Sequence, residues 1–181
     1  MGNSLTAEEQ KLLLSVAREA ITSHLENRPL SRTDDLTGTL LEKRGCFVSI
    51  KANGKLRGCI GNFQSDKPLH QLVCEMAISA ATKDPRFYPM IKKDLNDFTL
   101  EISVLAPLRK VMDIAEIEVG IHGLYMEKNF CRGVLLPQVA VEYGWDRETF
   151  LNQTSVKSGM NPGDWKEGAD IYIFTADVFK E

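Results

Sequence analysis

The chain has 181 residues, 43% hydrophobic and 26% charged, with a formal net charge of -3 and a pI near 5.7. That composition suits a folded globular protein of one domain, or of two small subdomains. The acidic balance argues against non-specific nucleic-acid binding, which needs a basic face. No apolar run approaches the ~18 residues of a membrane span. The polar start, Met1 to Gln10, lacks the basic and apolar regions of a secretory signal, so the protein is expected in the cytoplasm.

In chain order, Thr6 and Glu9 have the spacing of a capping box and open a helix expected over 6–26. Its apolar face is Leu12, Leu13, Val16, Ala17, Ala20 and Ile21. Pro29 to Gly38 reads as a loop, with Asp34 and Asp35 as solvated charge. Cys46 to Ile50 reads as a strand. Asn53-Gly54 predicts a hairpin, because both residues accept positive φ, and Leu56 to Ile60 is the returning strand. Pro68 then opens a second helix, with a broad apolar stripe from Leu69 to Ala81, ending near Lys83. Asp84-Pro85-Arg86-Phe87 is a turn. Residues 98–105 alternate as a half-buried strand that Pro107 stops.

Residues 113–117 fit one helical turn. Ile121 to Met126 and Gly133 to Leu136 read as two strands around Lys128-Asn129. Gln138 to Tyr143 fits a short helix, and Asp146 caps another that runs to Gly159. Ile171 to Phe179 alternates as one closing strand. Recurring hairpins without regular βαβ alternation give an α+β fold, mainly antiparallel sheet flanked by helices.

Cys59 is the leading candidate for chemistry. It lies between Gly58 and Gly61, two residues after Arg57. In a regular strand, residues i and i+2 share a face, so Arg57 is expected beside the thiol. There it stabilises a thiolate or binds an anionic substrate. The glycines allow close backbone approach or unusual dihedrals. A free cysteine in a tight hairpin also serves simply as a small buried apolar residue. His122 is a candidate base or orienting group for the thiol, or an ordinary surface or core histidine. Asp84 and Arg86 flank a proline in a turn, where they bind a ligand, pair, or cap the preceding helix. Gln138, at a strand-to-helix junction, donates to a ligand carbonyl or to the backbone. The four cysteines, Cys46, Cys59, Cys74 and Cys131, include no CxxC pair, so neither a disulfide framework nor a zinc site is expected. No cofactor is expected either.

The run Leu56-Arg57-Gly58-Cys59-Ile60-Gly61 resembles the hallmark motif of the AMMECR domain family. Four further blocks resemble that family's blocks in the same order: Ala80-Ala81 with Asp84 to Phe87, Glu101 to Leu105, Gly120 to Leu124, and Gly133 to Ala140 with Trp145. The resemblance implies that residues 1–181 form one AMMECR-type domain, built from two α+β subdomains with a cleft, the chain's two ends packing together. It also implies membership of the AmmeMemoRadiSam system, with a Memo-like protein and a radical SAM enzyme as partners. One departure is Ser155, which stands where the family commonly has a second cysteine. Two functions fit. The chain binds or acts on a small anionic ligand at a cleft around Leu56–Gly61, with Cys59 as nucleophile, or it is a non-catalytic module for those partners. The sequence does not decide whether it is an enzyme.

Overall fold

A computed structural model describes residues 4–30, 36 and 38–181, so the loop charges Asp34 and Asp35 lie outside the described residues. The chain divides into two units, Met1–Leu105 with Asp177–Glu181, and Ala106–Ala176. Each unit carries one four-stranded sheet, and every pairing with a resolved register is antiparallel. The fold is α+β.

In the first unit, α1 (Ala7–Glu26) begins at the expected capping box. Thr6 Oγ1 accepts from the Glu9 N–H at 3.2 Å and Glu9 Oε2 accepts from the Thr6 N–H at 2.9 Å. It ends at Asn27 in the left-handed region. The hairpin strands are β1 (Cys46–Ala52) and β2 (Lys55–Asn62). Asn53 and Gly54 have φ of 51° and 73°, as a two-residue turn of this chemistry requires. After α2 (Leu69–Thr82) comes β3 (Thr99–Leu105). The sheet order is β2-β1-β3-β8, with β8 (Ala176–Lys180) closing the far edge. Both helices cover one face of this sheet. Leu13, Ala17 and Ile21 of α1 and Leu72, Val73 and Ala77 of α2 pack into one core with Val48, Ile50, Leu100, Ile102 and Val104. The C-terminal strand is tied to α1: Arg18 pairs with Glu181, and the Leu5 N–H donates to Asp177 Oδ2 at 3.1 Å.

In the second unit the order is β4-β7-β5-β6, formed by β4 (Arg109–Lys110), β5 (Gly123–Lys128), β6 (Cys131–Leu135) and β7 (Asp170–Phe174). The helices are α3 (Pro137–Glu142) and α4 (Arg147–Lys157), the latter capped by Asp146, which accepts from the Thr149 N–H at 2.8 Å. Phe150, Leu151, Leu124, Met126 and Ile173 form a separate core.

Two expectations need correction. The segment 171–179 is not one strand, because β7 and β8 belong to different sheets and the chain leaves one for the other at Thr175. Alternation of apolar residues carries straight across that break, so the pattern alone conceals it. Second, Ile121 and His122 lie in a turn before β5, not in a strand. The N–H groups of both residues return to the Glu118 carbonyl.

Candidate functional site

The hairpin decides which way Cys59 points. Its two-residue turn pairs Ala52 with Lys55 and Lys51 with Leu56. Continued without interruption, that register sets Cys59 opposite Val48, whose side chain is sealed beneath the helices. The structure departs from it. Ile50 pairs with Gly58 and Ser49 with Cys59, leaving Arg57 as the extra residue of a β-bulge, so the regular strand spacing expected to set Arg57 and Cys59 on one face does not hold. A one-residue slip exchanges the faces of every residue beyond it. The bulge therefore turns Cys59 away from the helices, onto the sheet's outer face, where it is half-buried.

On that face Cys59 has Ser49 beside it, with Lys51, Glu101 and the apolar Phe47 on the flanking positions. The Ser49 hydroxyl donates to Cys59 Sγ at 3.1 Å. Across the other side of β1, Ser49 faces Glu101 and Phe47 faces Ser103. Lys51 Nζ donates to Glu101 Oε2 at 2.8 Å. Arg57 Nη1 is buried and has no hydrogen-bond partner among the described residues. A desolvated cationic nitrogen of this kind requires a water or an anion to satisfy it.

β2 is an edge strand, so Cys59's backbone groups point off the sheet and need partners from elsewhere. The Asp84-Pro85-Arg86 turn supplies them. The Cys59 N–H donates to Asp84 Oδ2 at 2.8 Å, and Arg86 Nη2 reaches the Cys59 carbonyl at a longer 3.4 Å. Asp84 also accepts from Arg86 Nη2 at 2.7 Å, Arg86 Nε at 3.0 Å and the Arg86 N–H at 3.1 Å. The Arg86 guanidinium, followed by the Cys59 and Arg86 N–H groups, holds the Asp84 carboxyl well below the usual carboxylate range despite its burial. The turn thus takes the place of a neighbouring strand at one residue, Cys59.

The two glycines are explained by packing. A Cβ on Gly58 would lie 2.1 Å from the Ala80 carbonyl oxygen of α2, and one on Gly61 2.2 Å from the Phe47 ring. Neither has positive φ, so close approach, not unusual dihedrals, is what these glycines provide. This unit holds two other thiols, Cys46 and Cys74. Burial pushes Cys46 up to about 12 and Cys74 up to about 11.

The structure brings Cys59, Asp84 and Arg86 into one hydrogen-bonded group, with Gly58 and Arg57 on the same strand. His122 and Gln138 belong to the second unit. His122 Nδ1 accepts from the Glu118 N–H at 3.1 Å. Gln138 is the second residue of α3, directly after Pro137. Ser155 is fully buried in α4, its hydroxyl donating to Met126 Sδ at 3.4 Å. Among the described residues, no three His, Cys, Asp or Glu side chains form a group able to hold a metal ion. Sequence reasoning missed Ser49, Lys51 and Glu101. Their signal was the polar alternation at 49 and 51 in β1 and at 99 and 101 in β3, which marks a face more open than the apolar one opposite.

The model of the AMMECR1 family matches residues 14–179. A protein of Methanothermobacter thermautotrophicus is 42% identical, covering 98% of this chain and 96% of its own. One of Methanopyrus kandleri is also 42% identical, covering 100% of this chain and 92% of its own. The crystal structure of an uncharacterized protein of Pyrococcus horikoshii superposes with a TM-score of 0.85 at 36% identity, covering 98% of this chain and 93% of that one. The chain belongs to the AMMECR1 family.

Proposed function

We propose that the protein binds a small anionic ligand on the outer face of the first sheet and uses Cys59 as its nucleophile. The observation that carries this reading is the bulge at Arg57, which turns the thiol onto the outer face beside the Ser49 hydroxyl. Bulges recur next to active sites because they re-aim a side chain. In the proposed roles, Ser49 orients the sulfur, Arg57 supplies positive charge for the ligand, and Asp84 with Arg86 fixes the Cys59 backbone. No cofactor enters the scheme. His122 and Gln138 are assigned no step in it.

Paired alkylating reagents test it. Iodoacetate and iodoacetamide present the same carbon, which the Cys59 sulfur attacks with release of iodide, but only the first is anionic. At Cys59, the ratio of iodoacetate to iodoacetamide rates is expected to exceed that of free cysteine by roughly fivefold, the effect of about 1 kcal/mol from one nearby cation. Arg57→Gln is expected to remove most of that excess. A wild-type ratio equal to that of free cysteine counts against an anionic ligand here.

A second reading, a non-catalytic module for a Memo-like protein and a radical SAM enzyme, is favoured by large apolar side chains left uncovered. Tyr88 is 91% exposed, and Phe130, between β5 and β6, is fully exposed. Copurification with either partner at micromolar concentration, weakened by Phe130→Ser, supports it. Absence of any association rejects it.

A further inference from the structure

Apart from the thiol face, the second unit contains a pocket of about 240 Å³. Its most buried lining residues are apolar: Trp165 and Ile171 are each 8% exposed, and the half-buried Val111 and Ala169 lie with them in the lining. Trp165 is fixed in place, because its indole N–H donates to Asn152 Oδ1 at 2.8 Å. Two apolar side chains at the mouth are uncovered, Met112 at 86% exposure and Ile114 at 41%. Among the described residues, the charged side chains lining the pocket are two lysines, Lys110 and Lys166.

Each lysine has a carboxylate partner that is not part of the lining. Lys110 Nζ is 2.6 Å from Asp170, and Lys166 Nζ is 2.8 Å from Glu148. All four side chains are about half-exposed or more. Exposed pairs of this kind contribute little to stability, so an entering carboxylate can take over one ammonium at little cost. The size narrows the class further. At about 30 Å³ per molecule of liquid water, the pocket holds the equivalent of about eight waters. It is smaller than the roughly 300–1,000 Å³ of sites for drug-sized ligands, which rules out a nucleotide or a peptide as a fully enclosed guest.

We propose that this pocket binds a small carboxylate anion with a compact apolar body, such as a single ring on a short chain. The ring lies on Trp165 and Ile171, and the carboxylate meets Lys110 and Lys166 at the rim. Met112 and Ile114, otherwise wetted, cover the outward side of the ring. Such a site is independent of the thiol chemistry proposed for Cys59 and stands or falls apart from it.

Phenylacetate and its neutral isostere phenylacetamide are the probes, and the indole N–H signals in proton–nitrogen NMR spectra are the readout. The chain has two tryptophans, so Trp145→Phe assigns the Trp165 signal. Phenylacetate is expected to shift the Trp165 signal saturably at millimolar concentration, with phenylacetamide roughly fivefold weaker, as expected for about 1 kcal/mol of charge attraction. In the Lys110→Gln/Lys166→Gln variant the two probes are expected to become equal. Both lysines are exposed, so folding is retained in that variant. No saturable shift with phenylacetate overturns the pocket assignment. Equal binding of acid and amide by the wild type, or a preference that persists in the double variant, overturns the anion assignment.

Discussion

Gly58→Ala is expected to destabilise the first unit by about 3 kcal/mol or more, at the upper end of what overpacking costs. The added methyl carbon falls 2.1 Å from the Ala80 carbonyl oxygen and 3.0 Å from its carbon, both of them backbone. No rotamer change relieves a backbone clash. α2 must retreat from β2, yet its Leu69, Leu72, Val73 and Ala77 are at most 2% exposed in the core it shares with β1 and β3. Retreat therefore opens that core as well. Gly54→Ala is the comparison: its φ of 73° opposes a side chain, but nothing lies within 4 Å, so the cost is about 1–2 kcal/mol of backbone strain alone. Urea unfolding followed by far-UV circular dichroism checks this, since both tryptophans, Trp145 and Trp165, lie in the second unit and report on it instead. If Gly58→Ala unfolds at the same urea concentration as Gly54→Ala, the close approach of α2 to β2 is not as described.

The second large effect is expected at Asp84. Asp84→Asn keeps the shape but turns an amide NH2 toward the donors of Arg86, losing charge-assisted hydrogen bonds and crowding the Cys59 N–H. Asp84 is only 4% exposed, so the groups it leaves unpaired are costly, although Arg86 is itself 56% exposed at its side chain and recovers part of its solvation. A loss of about 2 kcal/mol at neutral pH is expected. The pH dependence follows from the depressed carboxyl. A group whose folded pKa is lowered stabilises the protein above the unfolded carboxylate value, about 3.9, and that contribution fades as pH falls toward the folded value. The gap between wild type and Asp84→Asn is therefore expected to be constant from about pH 5 to 8 and to shrink below about pH 4. A gap that is unchanged at pH 3 contradicts the ion-paired assignment.

Much of this architecture was legible in the chain. Thr6 with Glu9, Asn53-Gly54 and Asp146 each announce a local structure through their own chemistry, and each was found where expected. The bulge gave no such signal. Arg57 needs neither glycine nor positive φ to occupy it, so nothing in the residue marks the slip that exchanges the faces of Cys59 and Gly58. The Asp84 turn was readable as a turn, but its partner lies 25 residues upstream on an edge strand. Which strand is an edge is a property of the sheet order, not of any local segment. The same reason hid the division at Thr175, where one alternating run serves two sheets.

The central claim is that the bulge presents the Cys59 sulfur on the sheet's outer face, held by Ser49. Native-state alkylation by iodoacetamide, with each cysteine followed by peptide mass spectrometry, tests it most directly. Cys59 is expected to label far ahead of Cys46 and Cys74, the two thiols that burial raises. Ser49→Ala is expected to change the rate of labelling at Cys59 alone, and Ser49→Thr to restore it. Labelling of Cys59 no faster than Cys46 in the folded protein contradicts the account, because the sulfur then faces the core.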